Sequence, residues 1–341
     1  MKAAIIGLGF MGRMHYRALQ SLSGVDVIAL CDKNIQTISQ SEQKGGNIDG
    51  VAEKIDFQAH DLYADFDQLL AEEHLDAVFI TLPTFLHKEY TVKALDAGLH
   101  VLCEKPMALT KEECTAMIEA RDRSKKTLQI GHCIRFWPEY TKVKEFIDGG
   151  EYGRVISASF DRLGSAPNWN PDNWFADQSR SGGMPLDLHI HDTDFIQHLF
   201  GLPKSVRSQA AEMAPGIYGH MSTQFDYDGE MTVSSQGSWM ATPSFGFEMS
   251  FKVFLEKAIL IYSSKANLSL RVYPADGEAF TPVIADGDGY VKEIEHFIAT
   301  AGTPENGSVI TAEQARTSIC IVAAEQESAQ THKVTIIKEE Q

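Results

Sequence analysis

Residues 3–22 read AAIIGLGFMGRMHYRALQSL, and this stretch decides the fold. Ala3–Gly7 is a short apolar run suited to a buried strand, and from Met11 to Leu22 the apolar residues recur at helical spacing. Between the two, Gly7, Gly9 and Gly12 form G-x-G-x-x-G. In that position the first glycine permits a tight turn and the second lets backbone approach a pyrophosphate. The third lets helix and strand pack closely. The helix, opened by Phe10 and Met11, then offers its free N–H groups and positive dipole end to the phosphates. Asp32 stands twenty residues after Gly12, at the end of a second apolar run, Val25–Cys31. A carboxylate there can hold both hydroxyls of an adenosine ribose and would repel a 2′-phosphate, so NAD is favoured. Lys33 beside it weakens the preference and leaves NADP open.

Outward from this unit, short apolar runs keep alternating with helical patterns as far as Gly131. The spacing predicts a crossover helix over Asp32–Lys44 and a loop over Gly45–Asp61. It then predicts a helix (Asp65–Glu73), a strand (Ala77–Thr81), a helix (Leu86–Ala97) and a strand (Leu99–Cys103). Thr110 with Glu113 reads as a capping box opening a helix to about Ser124, and Leu128–Gly131 is the last strand. Such alternation means a doubly wound parallel sheet covered by helices on both faces. After Gly131 the rhythm changes. A helix (Pro138–Asp148) and an extended run (Val155–Leu163) lead into a long loop, Gly164–Gly183, and one helix follows from Pro185 to Phe200. From Lys204 to about Tyr273 β-rich runs are broken by turn residues, as in an antiparallel sheet. Two late helices (Gly289–Thr300, Thr311–Glu327) and a strand (Lys333–Ile337) close the chain. The expected division is a nucleotide-binding Rossmann domain over 1–131 and an α+β domain with an open, mainly antiparallel sheet over 132–341. The last helix and strand are candidates to pack back on the first domain.

The length of 341 residues fits two domains, and 43% hydrophobic with 23% charged residues is a globular composition. Thirty basic against 47 acidic residues leave a net charge of −17, a field that disfavours nucleic acid and anionic membrane surfaces. No apolar run reaches the roughly 18 residues of a membrane span, and the start of the chain lacks the pattern of a signal peptide. Five scattered cysteines without a C-x-x-C read as reduced thiols in a cytoplasmic protein.

Glu104-Lys105-Pro106 falls at the carboxyl end of a parallel strand, the edge where open α/β sheets bind ligands. A lysine held there can hydrogen-bond a substrate oxygen and stabilise an alkoxide as it develops. Taken together, G-L-G-F-M-G at 7–12, T-L-P-T-F-L-H at 81–87 and C-E-K-P at 103–106 resemble the Gfo/Idh/MocA family of sugar and inositol oxidoreductases. The resemblance continues in G-H-C-I-R-F-W-P-E-Y at 131–140, in S-G-G-M-P-L-D-L-H-I-H-D-T-D at 181–194 and in the span from Ile310 to Ile337. It implies that Glu104 binds the nicotinamide ribose, that Lys105 contacts ribose and substrate, and that Thr81, Pro83 and His87 line the cofactor path. It implies also that Asp187 and His191 complete the catalytic set, and that the open sheet face is covered in a homodimer or homotetramer. The expected reaction is hydride transfer between a secondary hydroxyl of a sugar, inositol or related polyol and the nicotinamide. Two alternatives from the same family are a glycosidase working by transient oxidation and a non-catalytic NAD-bound sugar sensor.

Physical chemistry agrees with these roles. Asp187 and His191 are four apart, so they share a helix face. An imidazole titrating near neutrality suits removal of a hydroxyl proton. No metal is expected: His189 and His191, two apart, point to different faces, so only a mixed set with His198, Asp192 and Asp194 could converge. Those neighbours read as surface or packing histidines and as capping or salt-bridged acids. Trp169 and Trp174 could stack on sugar C–H faces beside Asn168, Asn170, Asp172 and Asn173, or could anchor the loop to the core. Arg135 has the same two readings, a substrate or cofactor contact and a structural ion pair. His132 and Trp137 depart from the family's usual pattern and leave the substrate open.

Overall fold

The computed structural model describes residues 1–40, 55–167, 174–265, 268–303 and 307–338. They gather into two compact units: one holds the described residues of 1–133, 167–181 and 288–316, the other those of 134–166, 182–287 and 317–341.

The first unit is built on six parallel strands, β1 (Lys2–Ile6), β2 (Asp26–Cys31), β3 (Asp61–Tyr63), β4 (Ala77–Ile80), β5 (His100–Glu104) and β6 (Leu128–Gly131). Their order is β3-β2-β1-β4-β5-β6, the doubly wound arrangement whose crevice opens where the order reverses, between β1 and β4. Ala77–Ile80 is buried throughout, and β1 is buried after its first residue. That is why these strands read as continuous apolar runs rather than as alternation. The helices are α1 (Phe10–Ser21), α2 (Ile35–Ile38), α3 (Phe66–Glu72), α4 (His87–Asp96), α5 (Lys111–Ser124) and, from later in the chain, the one-turn α7 (Gln178–Ser181). Thr110 caps α5 by accepting the Glu113 backbone N–H at 3.2 Å, and the Glu113 carboxylate accepts the N–H of Leu109. Two details differ from the sequence expectation. The crossover helix after β2 is only the four residues of α2 within the described part, with 41–44 outside it. Asp61–Tyr63, expected at the end of a loop, is an edge strand in parallel register with Ala29–Cys31.

A helix from far along the chain completes this core. α9 (Gly289–Thr300) buries Ile294 and Phe297 in it, with the Phe297 ring edge-on to Phe79 at 5.4 Å.

The second unit contains α6 (Pro138–Gly149), α8 (Ile190–Phe200), most of α10 (Ala312–Thr331) and an eight-stranded sheet. The sheet strands are β7 (Val155–Leu163), β8 (Ser205–Ala214), β9 (Ile217–Asp226), β10 (Thr232–Ser238), β11 (Glu248–Leu255), β12 (Ala258–Ser263), β13 (Leu268–Pro274) and β14 (Thr335–Ile336). The order is β13-β12-β11-β7-β10-β9-β8-β14, antiparallel except for the β7–β10 pair. The closing strand pairs with β8 in this sheet, whereas α9 and the first residues of α10, to Arg316, cluster with the first unit. Alternate residues of β7 and β9 are buried, and Phe160 of β7 joins an aromatic layer. There Tyr140 of α6 meets Phe195 of α8 and Phe251 of β11 edge-on, each at 4.9 Å.

Candidate active site

The turn after β1 has the geometry a dinucleotide needs. Gly7 has φ +95°, and a Cβ there would lie 2.8 Å from the Thr81 carbonyl. A Cβ on Gly12 would lie 2.0 Å from the Gly7 carbonyl, so helix and turn touch backbone to backbone. Gly9 has nothing within 4 Å of its Cβ position. It is the exposed N-cap of α1, a helix start with no side-chain cap and no acid in its first turn. Phe10 and Met11 follow, partly exposed. An uncapped, uncompensated helix N-terminus with open space above Gly9 fits a pyrophosphate.

Two side chains from the neighbouring strand ends fix this turn. The Thr81 hydroxyl donates to the Gly7 carbonyl at 2.6 Å. The Asp32 carboxylate accepts the Leu8 N–H at 2.9 Å and the Asn34 N–H at 2.8 Å. Each Asp32 oxygen retains acceptor capacity, which suits the two hydroxyls of a ribose. Lys33 is exposed beside it. Asp32 therefore does two jobs, and they separate by mutation. Asp32→Asn keeps an oxygen for Leu8 but removes the charge, so NADP affinity should rise at least about tenfold relative to NAD. Asp32→Ala releases the turn and should weaken both nucleotides. Fluorescence titration with NADH and NADPH measures both outcomes.

At the end of β5, Glu104, Lys105 and Pro106 are held by two buried histidines. His15, on the core face of α1, donates from Nε2 to Glu104 Oε1 at 2.7 Å. Burial works to raise the Glu104 pKa. The His15 hydrogen bond and the charges of His15, Lys105 and His87 outweigh it and hold the carboxyl below its ordinary range. His87 is 1% exposed, with Nδ1 at 2.8 Å from the Pro106 carbonyl and Nε2 at 2.8 Å from that of Leu82. Burial pushes its pKa down, and the two carbonyls with nearby Glu104 offset only part of that fall. A neutral ring satisfies one carbonyl only; binding both takes the imidazolium. Two expected cofactor-lining residues thus serve as supports. His87 ties the loop after β4 to the loop after β5, and Thr81 locks the glycine turn. Pro83 and Lys105 remain partly exposed.

In the second unit, Asp187 and His191 are partly exposed, while Leu186, Leu188, His189 and Ile190 around them are buried. The single regular helix expected from Pro185 begins instead with a π turn, Pro185–His189, in which the Ile190 N–H donates to the Pro185 carbonyl. π turns recur at functional sites. α8 is bolted down by its acids. Asp192 receives two hydrogen bonds from Arg162, both 2.9 Å, and Asp194 two from Arg135, 2.8 and 2.9 Å. His189 donates to Glu325 at 3.0 Å, and a Cβ on Gly237 would lie 2.7 Å from its ring. These residues are therefore committed within the unit. Arg135, a substrate contact in one sequence reading, has a fully buried side chain, and the ion-pair alternative is the one realised.

Trp169 lies outside the described residues, as do Asn168, Asn170, Asp172 and Asn173. Trp174 is partly exposed, stacked on Phe175 at 4.0 Å, in a segment that clusters with the first unit. Nearby, Arg180 lies 4.7 Å from the centre of the Phe85 ring. Sequence reading missed His15 and Glu293. Both are polar residues at apolar positions of amphipathic helices, which is the signal that could have found them.

The profile described as an oxidoreductase family with an NAD-binding Rossmann fold matches residues 1–132, and that of the GFO/IDH/MocA C-terminal domain matches residues 140–261. The chain belongs to the Gfo/Idh/MocA family of oxidoreductases. Its first unit is accordingly an NAD-binding Rossmann domain, as the glycine turn requires. Among Gfo/Idh/MocA proteins it is 31% identical over 238 residues to the 2,7-anhydro-N-acetylneuraminate hydratase of Mediterraneibacter gnavus, 69% of this chain and 58% of that protein. It is 35% identical over 158 residues to the inositol 2-dehydrogenase of Salmonella typhimurium, 46% of this chain and 44% of that one. The chain thus spans about half the length of these relatives. A levoglucosan dehydrogenase solved with NADH and levoglucosan shares the Gfo/Idh/MocA fold with a TM-score of 0.84 at 19% identity, over 99% of this chain and 100% of that one. Among the described residues no helix is long and apolar enough to cross a membrane.

Proposed function

We propose that this protein is an NAD-dependent oxidoreductase acting on a secondary hydroxyl of a sugar, inositol or related polyol. The observation that carries the reading is the setting of Lys105. It is a partly exposed amine at the carboxyl end of a parallel strand, between a carboxylate paired to His15 and a proline carbonyl held by His87. An amine so supported keeps one position while charge develops on a substrate oxygen, which is what electrostatic catalysis demands. NAD, when bound, supplies the hydride acceptor. The Gly7–Gly12 turn and α1 N-terminus grip its pyrophosphate, Asp32 the adenosine ribose and Glu104 the nicotinamide ribose. Lys105 donates from Nζ to the reacting oxygen, His191 takes the hydroxyl proton at Nε2, and Asp187 orients the imidazole. The relatives named for inositol and levoglucosan support the substrate class.

The five cysteines are thiols and fit a reducing cytoplasm. Phe254, Ile259 and Tyr273 form a cross-strand row on one sheet face, and Phe254 and Tyr273 are each 40% exposed. Such a row fits burial against a second copy of the chain in a homodimer or homotetramer.

A second reading has one specific support, the relative named as a hydratase. In it the substrate is oxidised transiently and the hydride returned. A panel of inositols, aldoses, uronic acids, amino sugars and anhydrosugars incubated with NAD separates the two by absorbance and product analysis. The first reading expects NADH to accumulate with a ketone product. Product formation without net NADH favours the second, and no turnover on any polyol sinks both.

A further inference from the structure

α9 carries an acid on its core-facing side. Glu293, next to buried Ile294, is fully buried, and neither of its carboxyl oxygens has a hydrogen-bond partner. A Glu293 oxygen, a Glu104 oxygen and a His15 ring nitrogen all lie within 4.8 Å of one another. The acid has no way out. Its backbone carbonyl accepts from Gln129 of β6 at 2.9 Å, and the N-cap of its helix, Asp288, is paired with Arg17 at 3.1 Å.

Two ionised carboxylates this close, sealed from water, repel each other strongly, so one of them holds a proton. The two are not equivalent. Glu104 has the His15 hydrogen bond and the charges of His15, Lys105 and His87 to keep it ionised. Glu293 meets burial first, then the negative charges of Glu104 and Asp288, and all three push its pKa well up. No opposing charge of comparable weight offsets them, because the nearby His15 ring is bonded to Glu104. We propose that Glu293 is a positioning residue: its protonated carboxyl faces the Glu104 carboxylate and, with His15, fixes Glu104 for the cofactor ribose. This rests on the reading of Glu104 as the ribose-binding residue. A divalent cation in the same cluster is the competing use, and it fits less well, because His15 Nδ1 is buried without the outer partner that metal-bound histidines ordinarily have.

The test has one part independent of NAD. Infrared difference spectra of the wild-type protein and Glu293→Gln at neutral pH should show a protonated-carboxyl stretch present in the first and lost in the second. The folded state holds a proton that the unfolded chain releases above about pH 4.3. Glu293 therefore contributes a share of thermal stability that is lost as pH rises from there, and the wild-type profile minus that of Glu293→Gln isolates this share. The other part is NADH affinity by fluorescence. In the wild type it should fall roughly tenfold or more on the alkaline side as Glu293 ionises and displaces Glu104. Glu293→Gln, which mimics the protonated acid and cannot ionise, should bind with a flat profile. Absence of the carboxyl band, superimposable wild-type and variant pH profiles, or a stoichiometric metal whose removal weakens NADH binding would overturn the proposal. A wild type that shows the band and the stability slope but does not bind NADH would sink the functional reading instead.

Discussion

Lys105→Ala and His191→Ala should each lower kcat by roughly two to three orders of magnitude while leaving NADH bound. For Lys105 the loss follows from charge. The oxygen that gives up its proton becomes anionic before the carbonyl forms, and the ammonium is the proposed group that meets that charge. NADH affinity should change only a few fold in Lys105→Ala. Glu104 keeps His15 as its donor, and what goes is one of several charges that favour its ionised state. Lys105→Arg is the informative companion. It restores the charge, yet a planar fork on a longer stem does not reproduce a point donor, so recovery should be partial. For His191 the loss is of the proton acceptor, so the residual rate of His191→Ala should climb with pH as solvent hydroxide replaces the base. Single-turnover NADH formation and fluorescence titration give the two quantities separately. Equal loss of NADH affinity and rate in Lys105→Ala would make Lys105 a cofactor grip and remove it from the chemistry.

The parts of the molecule legible in its sequence are those governed by local physics. The glycine spacing specifies a turn whose steric demands are met at Gly7 and Gly12, and the buried strands of the first sheet announce themselves because both faces are covered. What escaped depends on partners distant in the chain. The strand Asp61–Tyr63 is only three residues long, and its edge position is conferred by pairing with β2, not by its own pattern. The π turn at Pro185–His189 leaves the apolar spacing almost unchanged, so periodicity cannot separate it from α-helix. The family resemblance places Thr81 and His87 along the cofactor path without saying what holds them there. Their hydrogen bonds to Gly7, Leu82 and Pro106 are fixed only when three strand ends converge. Glu293 lies 189 positions after Glu104. Only the folding of α9 onto the first sheet makes a partner of it.

Arg135 shows how such a long-range partner decides a role, and it carries the largest expected stability effect. Asp194→Ala should destabilise the second unit by about 3–5 kcal/mol, because a fully buried guanidinium loses its bidentate acceptor. His198 cannot substitute. Burial first, and then the Arg135 charge, push its pKa down to about 4, so near neutrality it is an uncharged acceptor of one long bond at 3.3 Å. Ser318, which donates to Asp194 at 2.9 Å, loses that acceptor in the same change and keeps Gln197 at 2.8 Å. Removing both charges at once, as in Arg135→Met with Asp194→Leu, should recover most of the loss, because neither partner is then left buried and unpaired. Calorimetry of the single and double variants measures this directly. A substrate-binding arginine would behave in the opposite way: Arg135→Met would raise KM and hardly move the melting temperature, and Asp194→Ala would leave the unit as stable as before. The geometry requires the first pattern, since a guanidinium with no exposed surface meets a sugar only after the ion pair that holds α8, and His191 with it, has been broken.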